Sequence, residues 1–127
     1  MIARDIMTCT VCTIHPDASA QEAAQLLYAK RISGLPVVDG HGNIIGIVTE
    51  ADIISKVNRE GLNVSDIMSC EVITVDEERP VNEVAALLTQ RKIKRVPVVT
   101  AGKLVGIISR GDIVHAVAQG LLIIRQW

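Results

Sequence analysis

The sequence predicts a mixed α/β fold built from two copies of one β-α-β-β-α unit. Two observations predict it. The first is an internal duplication. "ARDIMTCTVCTIHPDASAQEAAQLLYAKRISGLPVVD" lies over "VSDIMSCEVITVDEERPVNEVAALLTQRKIKRVPVVT" without a gap. Asp5 falls on Asp66, Met7 on Met68, Cys9 on Cys70, Thr13 on Thr74, Glu22 on Glu83 and Ile32 on Ile93. One residue is lost in a turn, after which "GIVTEADI" (46–53) matches "GIISRGDI" (106–113). The second observation is that short β-branched runs and helical apolar spacing follow each other in the same order in both copies. Halves of about 60 residues are each small for a self-sufficient core, so they should pack on one another about a pseudo-twofold axis. The boundaries read 1–60 and 61–120, with an apolar tail over 121–127 and "NREGLN" (58–63) joining the halves.

Each copy opens on a β-branched run, Val11–Ile14 and Val72–Val75. A helix follows. Ser19 and Glu22 have capping-box spacing in the first copy, and Pro80 suits the first helical position in the second. Ala20, Ala23, Ala24 and Leu27, and then Val81, Val84, Ala85 and Leu88, recur at helical spacing. Two apolar strands around a glycine-bearing turn read as a hairpin: Pro36–Val38, "DGHGN" and Ile44–Val48, then Val96–Val99, "TAGK" and Leu104–Ile108. The G-x-G of "GHGNIIG" lacks the last spacing of a dinucleotide fingerprint and precedes a strand, so it belongs to the turn. A second helix starts at Thr49 or Ser109, with apolar positions Ile53, Ile54 and Val57, or Ile113, Val114 and Val117.

Composition removes several function classes. The net charge is −1, with 13 basic and 14 acidic side chains interspersed, which argues against a nucleic-acid partner or an anionic membrane surface. Tyr28 and Trp127 are the aromatics and there is no Phe, so no base-stacking platform is expected. No run of roughly 18 apolar residues exists to span a membrane. Arg4 and Asp5 interrupt any early apolar run, so a signal peptide is not expected. With three cysteines, which cannot all pair, a cytoplasmic setting follows. The histidines His15, His41 and His115 share no triad or metal-helix spacing, and no catalytic residue is assigned.

Thr49 with Asp52, and Ser109 with Asp112, both show S/T-x-x-D at a helix start. Such a pair caps the helix, with the acid also placed well for the helix dipole. The same carboxylate also suits the hydroxyls of a ribose. The two roles are compatible.

Given twice, "DIM…V.T…A..L…I.GLPVVD..G.IIGIVTEADI" resembles a tandem pair of CBS domains, the cystathionine β-synthase motif, also called a Bateman module. The resemblance covers residues 3 to about 119. It implies two intertwined β-α-β-β-α repeats with clefts that commonly take adenosine nucleotides or related adenosyl ligands, which the family senses rather than turns over. By that resemblance Asp52, Asp112, Thr49 and Ser109 bind ribose. Arg95, with Lys94 and Arg110, binds phosphate. Thr13, Ile14, Thr74, Val75, Val37, Val98, Pro36 and Pro97 line the adenine slot, beside the strands ending in Val48 and Ile108. The first copy has Ser33 and Gly34 where the second has Lys94 and Arg95, so the two sites should be unequal. The resemblance further implies a homodimer, an effector protein of unknown identity, and no required cofactor. Alternatives are an interaction module without ligand and, further off, a metal- or redox-responsive protein.

The last alternative rests on "TCTVCTIH" (8–15), where Cys9, Cys12 and His15 have knuckle-like spacing. The duplication weakens it. Cys9 pairs with Cys70, but Cys12 falls on Ile73 and His15 on Asp76, so Cys12 reads as a small hydrophobe at a strand position and no metal site is assigned.

Overall fold

The computed structural model describes residues 1–122. In chain order its elements are α1 (Ala3–Ile6), α2 (Ala20–Lys30), β1 (Gly34–Val38), β2 (Ile44–Thr49), α3 (Glu50–Ile54), α4 (Val64–Ile67), β3 (Val75–Asp76), α5 (Val81–Gln90), β4 (Arg95–Thr100), β5 (Lys103–Ser109) and α6 (Arg110–Ala118). The mixed α/β class with two repeats is therefore observed. Of the apolar tail, residues 123–127 lie outside the described residues.

The chain forms two compact units whose borders fall some way after the repeat borders. One unit is Cys12–Val72; the other joins Met1–Val11 to the chain from Ile73 onward. In the Cys12–Val72 unit, β1 and β2 pair antiparallel, with Leu35 opposite Val48 and Gly34 opposite Thr49. Ile14 extends β1 on its other side in parallel, through Ile14 N–H to Pro36 C=O (3.1 Å) and Val38 N–H to Ile14 C=O (3.0 Å). Ser69 closes the far edge by exchanging two backbone hydrogen bonds with Ile47, at 2.8 and 2.9 Å. The discontinuous unit repeats this plan. Val75 pairs with Val98, Arg95 stands opposite Ser109 across β4–β5, and Thr8 exchanges hydrogen bonds with Ile107 at 2.8 and 2.9 Å.

The β-branched runs expected over Val11–Ile14 and Val72–Val75 reduce to a bridge at Ile14 and a two-residue strand at Val75–Asp76. The physical reason is where the chain changes unit. It does so between Val11 and Cys12 and again between Val72 and Ile73, so the early residues of each run are spent in the passage. The segments before those passages end their own units. The single-turn helices α1 and α4, not anticipated from periodicity, plug the cores with Ala3 and Val64, both fully buried. Each is started by an acid reaching back to the backbone: Asp5 to Ile2 N–H (2.8 Å) and Asp66 to Asn63 N–H (2.7 Å).

Each unit has its own apolar core. Ile14, Ala23, Leu27, Leu35, Val37, Val48, Val64 and Ile67 form one. Ala3, Val75, Val84, Leu88, Val96, Val98 and Ile108 form the other. α2 starts at the expected Ser19, which accepts from Glu22 N–H at 3.0 Å, but the reciprocal half of the capping box, Ser19 N–H to the Glu22 carboxylate, is not made among the described residues. Pro80 occupies the N-cap of α5, one residue earlier than expected. α3 stops at Ile54, so Val57 lies beyond the helix and is exposed. Ser55 explains the early stop: its hydroxyl bonds the Asp52 carbonyl at 2.9 Å, a local alternative to continuing the helix. The first hairpin is built on Asp39, whose carboxylate accepts from His41 N–H (2.8 Å), Asn43 N–H (3.0 Å) and the Asn43 amide (3.1 Å). The His41 N–H above all, and then the Asn43 side chain, hold that carboxyl below its ordinary range.

Gly46 and Gly106, matched in the duplication, are required by close approach. A Cβ on Gly106 would sit 2.6 Å from Met7 Sδ and 3.1 Å from the Thr8 carbonyl oxygen. On Gly46 it would meet Met68 Sδ at 2.6 Å and the Ser69 carbonyl at 3.0 Å. Gly106→Ala therefore pushes residues 7–8 off the β5 edge, and a loss of about 1–3 kcal/mol is expected. Urea unfolding measures it; a midpoint equal to that of the native chain would show that this edge contact yields freely.

Candidate functional site

The two S/T-x-x-D motifs sit at matched places, one per unit. In the Cys12–Val72 unit, Thr49 ends β2 and caps α3. Asp52 Oδ2 accepts from Thr49 N–H (2.8 Å) and from the Thr49 hydroxyl (3.0 Å), while Thr49 Oγ1 accepts from Asp52 N–H (3.3 Å). In the other unit, Asp112 Oδ2 accepts from Ser109 N–H (2.8 Å) and from the Ser109 hydroxyl (3.1 Å), and Ser109 Oγ accepts from Asp112 N–H (3.2 Å). The capping role is thus present at both. It uses one carboxylate oxygen at each, and all four residues are half-buried rather than enclosed. A carboxylate has about four lone-pair positions, so capping does not exhaust either acid.

Basic groups gather around the second motif. Arg95 is the register partner of Ser109, and Lys94 offers its carbonyl to Arg110 N–H at 3.0 Å. In the first unit the same geometry is kept by Gly34 opposite Thr49, and by Ser33 C=O accepting from Glu50 N–H at 2.9 Å. The backbone plan is equal and the charge is not. Arg110 is exposed and turns its Nε to the Ile93 carbonyl (3.0 Å). Arg95 is half-buried, and its Nε is buried with no hydrogen-bond partner among the described residues. The ion pairs among those residues, Arg4 with Glu77 and Arg79 with Glu83, do not involve it. A buried guanidinium N–H without an acceptor costs free energy, which an anion at that place would recover.

The side chains assigned to an adenine slot divide into two layers. Ile14, Val37, Val75 and Val98 are 6%, 0%, 2% and 0% exposed and belong to the unit cores. Pro36 and Pro97 are buried beside them, while Thr13 and Thr74 are half-buried. Thr13, Ile14, Pro36 and Val37 share a unit with Asp52; Thr74, Val75, Pro97 and Val98 share one with Asp112.

The motif reading missed Thr8. Its hydroxyl donates to Asp112 Oδ1 at 3.3 Å, from a segment remote in sequence. The duplication carried a signal for it, since Thr8 falls on Ser69 and both hydroxyls follow "DIM". Cys9 and Cys70 are exposed, and Cys12 is half-buried against the core around Ile14 and Val37. Among the described residues no three His, Cys, Asp or Glu side chains are placed to hold a metal ion, and no helix is long and apolar enough to cross a membrane.

Comparison with known proteins sets these observations in a family. The CBS domain profile matches twice, over residues 3–59 and 64–119. The CBS domain-containing protein YhcV of Bacillus subtilis is 32% identical over 114 residues, covering 87% of this chain and 81% of its own. The L-aspartate semialdehyde sulfurtransferase of Methanocaldococcus jannaschii is 36% identical over 113 residues, and this chain spans 22% of its length. Among solved structures, CBSX2 in complex with AMP superposes with a TM-score of 0.86 at 32% identity, over 93% of this chain and 96% of that one. The CBS domain pair of protein MJ0100, in complex with 5′-methylthioadenosine and S-adenosyl-L-methionine, gives 0.80 at 34% identity, over 94% and 98%. Two profile matches in tandem, on two units of one plan, place this chain in the CBS domain family as a CBS-domain pair.

Proposed function

We propose that the chain is a non-catalytic sensor that binds an adenosine nucleotide or related adenosyl compound at the surfaces carrying Asp52 and Asp112, and reports occupancy to an effector protein. The observation that carries the reading is Arg95. Its Nε is buried without an acceptor, and it stands opposite Ser109 at the start of a helix with a half-buried carboxylate. Anion and diol chemistry therefore sit within one unit. Ribose falls to Asp52 and Asp112 with Thr49 and Ser109, phosphate to Arg95 with Lys94 and Arg110. The adenine would lie against Thr13 or Thr74 and the backbone beside Pro36–Val37 or Pro97–Val98. The AMP bound by CBSX2 and the adenosyl compounds bound by MJ0100 support this ligand class. Signalling follows from population shift: a ligand that fits one arrangement of the protein better raises its share.

A thermal-shift panel of AMP, ADP, ATP and S-adenosylmethionine tests the reading. A ligand at a hundred times its Kd adds about 2.7 kcal/mol to stability, so at least one compound should raise the Tm by several degrees, and Asp52→Ala with Asp112→Ala should abolish the rise. If no compound shifts the native chain, the interaction-module reading takes its place. Its support is apolar surface: Ile54, Val57 and Val114 are 70%, 65% and 67% exposed, and a groove of about 370 Å³ runs beside Val114, between α5 and α6. Exposed apolar side chains in each unit also support a homodimer as part of this proposal.

A further inference from the structure

Counting lone pairs separates the two carboxylates. Asp52 Oδ2 receives two hydrogen bonds from Thr49, and its Oδ1 receives none among the described residues. Asp112 Oδ2 likewise receives two from Ser109, but its Oδ1 already accepts from Thr8 Oγ1 at 3.3 Å. Ser69, the counterpart of Thr8, makes no side-chain hydrogen bond to Asp52 among the described residues. With about two lone-pair positions per oxygen, Asp52 has room for both hydroxyls of a vicinal diol, and Asp112 has room for one.

Thr8 is not free to retreat as a whole. Its N–H and C=O are both bonded to Ile107, at 2.8 and 2.9 Å, so the residue is fixed on the β5 edge and its hydroxyl alone can turn away. Gly106 permits this close approach of residues 7–8, because any Cβ there would meet Met7 and the Thr8 carbonyl. The hydroxyl is exposed, so once turned away it is met by water and pays only the bond to the carboxylate.

We infer that Thr8 is a positioning residue that competes with ligand for Asp112 Oδ1. It makes the ribose subsite of its own unit a one-hydroxyl site, while the Asp52 subsite takes the full diol. The inference rests on the sensor reading and deepens it. The unit rich in phosphate-binding charge becomes the one less able to tell ribose from deoxyribose.

The test is calorimetric titration of AMP and 2′-deoxy-AMP. In an Asp52→Asn chain, which leaves Asp112 as the intact carboxylate, AMP should be preferred only weakly. Adding Thr8→Val, which keeps shape and removes the donor, should tighten AMP about threefold to tenfold and widen its advantage over 2′-deoxy-AMP. Thr8→Ser in the same background should restore the narrow ratio, since it returns the hydroxyl. In an Asp112→Asn background Thr8→Val should change nothing. If Thr8→Val leaves AMP unchanged or weaker in the Asp52→Asn chain, while Asp112→Asn still costs affinity, the competition is refuted and the sensor reading survives. If Asp52→Asn and Asp112→Asn together leave AMP binding intact, the sensor reading itself falls.

Discussion

Ile108→Ala is expected to destabilise its unit by about 2–5 kcal/mol, the largest effect of any substitution considered for this chain. Ile108 is fully buried on β5, opposite Val96 and within the core that also holds Ala3, Val84 and Val98. Removing three carbons there loses transfer free energy and leaves a cavity. β4 on one side and Thr8 on the other are held to β5 by backbone hydrogen bonds, so collapse into that cavity is limited. A fall in Tm on the order of ten degrees or more follows for a unit of this size. Val114→Ala is the internal control. Val114 is 67% exposed on α6, and its truncation should cost under about 0.5 kcal/mol. Equal Tm values for the two variants would mean that this core does not carry the unit's stability.

The second large effect concerns binding. Arg95→Met should weaken AMP or ATP by about tenfold to a hundredfold and leave adenosine nearly unaffected. A hydrogen bond to a charged group contributes about 1.5–3 kcal/mol, and a guanidinium can offer two in parallel to a phosphate. Methionine keeps an apolar stem of similar length, so the comparison isolates the charged head. Arg95→Lys should fall between, since the ammonium keeps the charge and loses the planar fork. Parallel titrations of adenosine and AMP separate the outcomes. An equal loss for both would assign Arg95 to folding or to the base. No loss for either would move the phosphate site elsewhere, with Lys94 and the exposed Arg110 as the remaining cations near α6.

The charge asymmetry behind this experiment was visible in the chain itself, as "SGLPVV" against "KRVPVV". The hairpins were equally legible, because turn residues and β-branched runs act over a few positions and need no distant partner. The S/T-x-x-D caps formed for the same reason: both members lie within one helical turn. What escaped was chemistry made by contact across sequence. Thr8 reaches Asp112 from 104 residues away, and no local pattern announces such a bond. The short helices α1 and α4 were missed because a single turn has no periodicity to read, although Asp5 and Asp66 stood three residues after the backbone groups they hold.

The puzzle of "TCTVCTIH" resolves along the same division. Repeat comparison indicated a small hydrophobe at Cys12, and the residue is half-buried against the core of the Cys12–Val72 unit. Its neighbour Cys9 belongs to the other unit, because the chain passes from one to the other between Val11 and Cys12. The four-residue span from Cys9 to Cys12 thus straddles two units.

By itself the sequence determined the repeat, the order of strands and helices within it, the caps and the unequal distribution of basic groups. All of these follow from short-range periodicity, from turn chemistry or from comparison of the two halves. Tertiary structure alone decided which segments complete each unit, why a side chain at Gly46 or Gly106 must displace the segment packed on it, which donor of Arg95 is left unsatisfied, and how many acceptor positions each aspartate retains. Those depend on backbone approach and on hydrogen-bond partners distant in the chain, and a linear pattern carries neither.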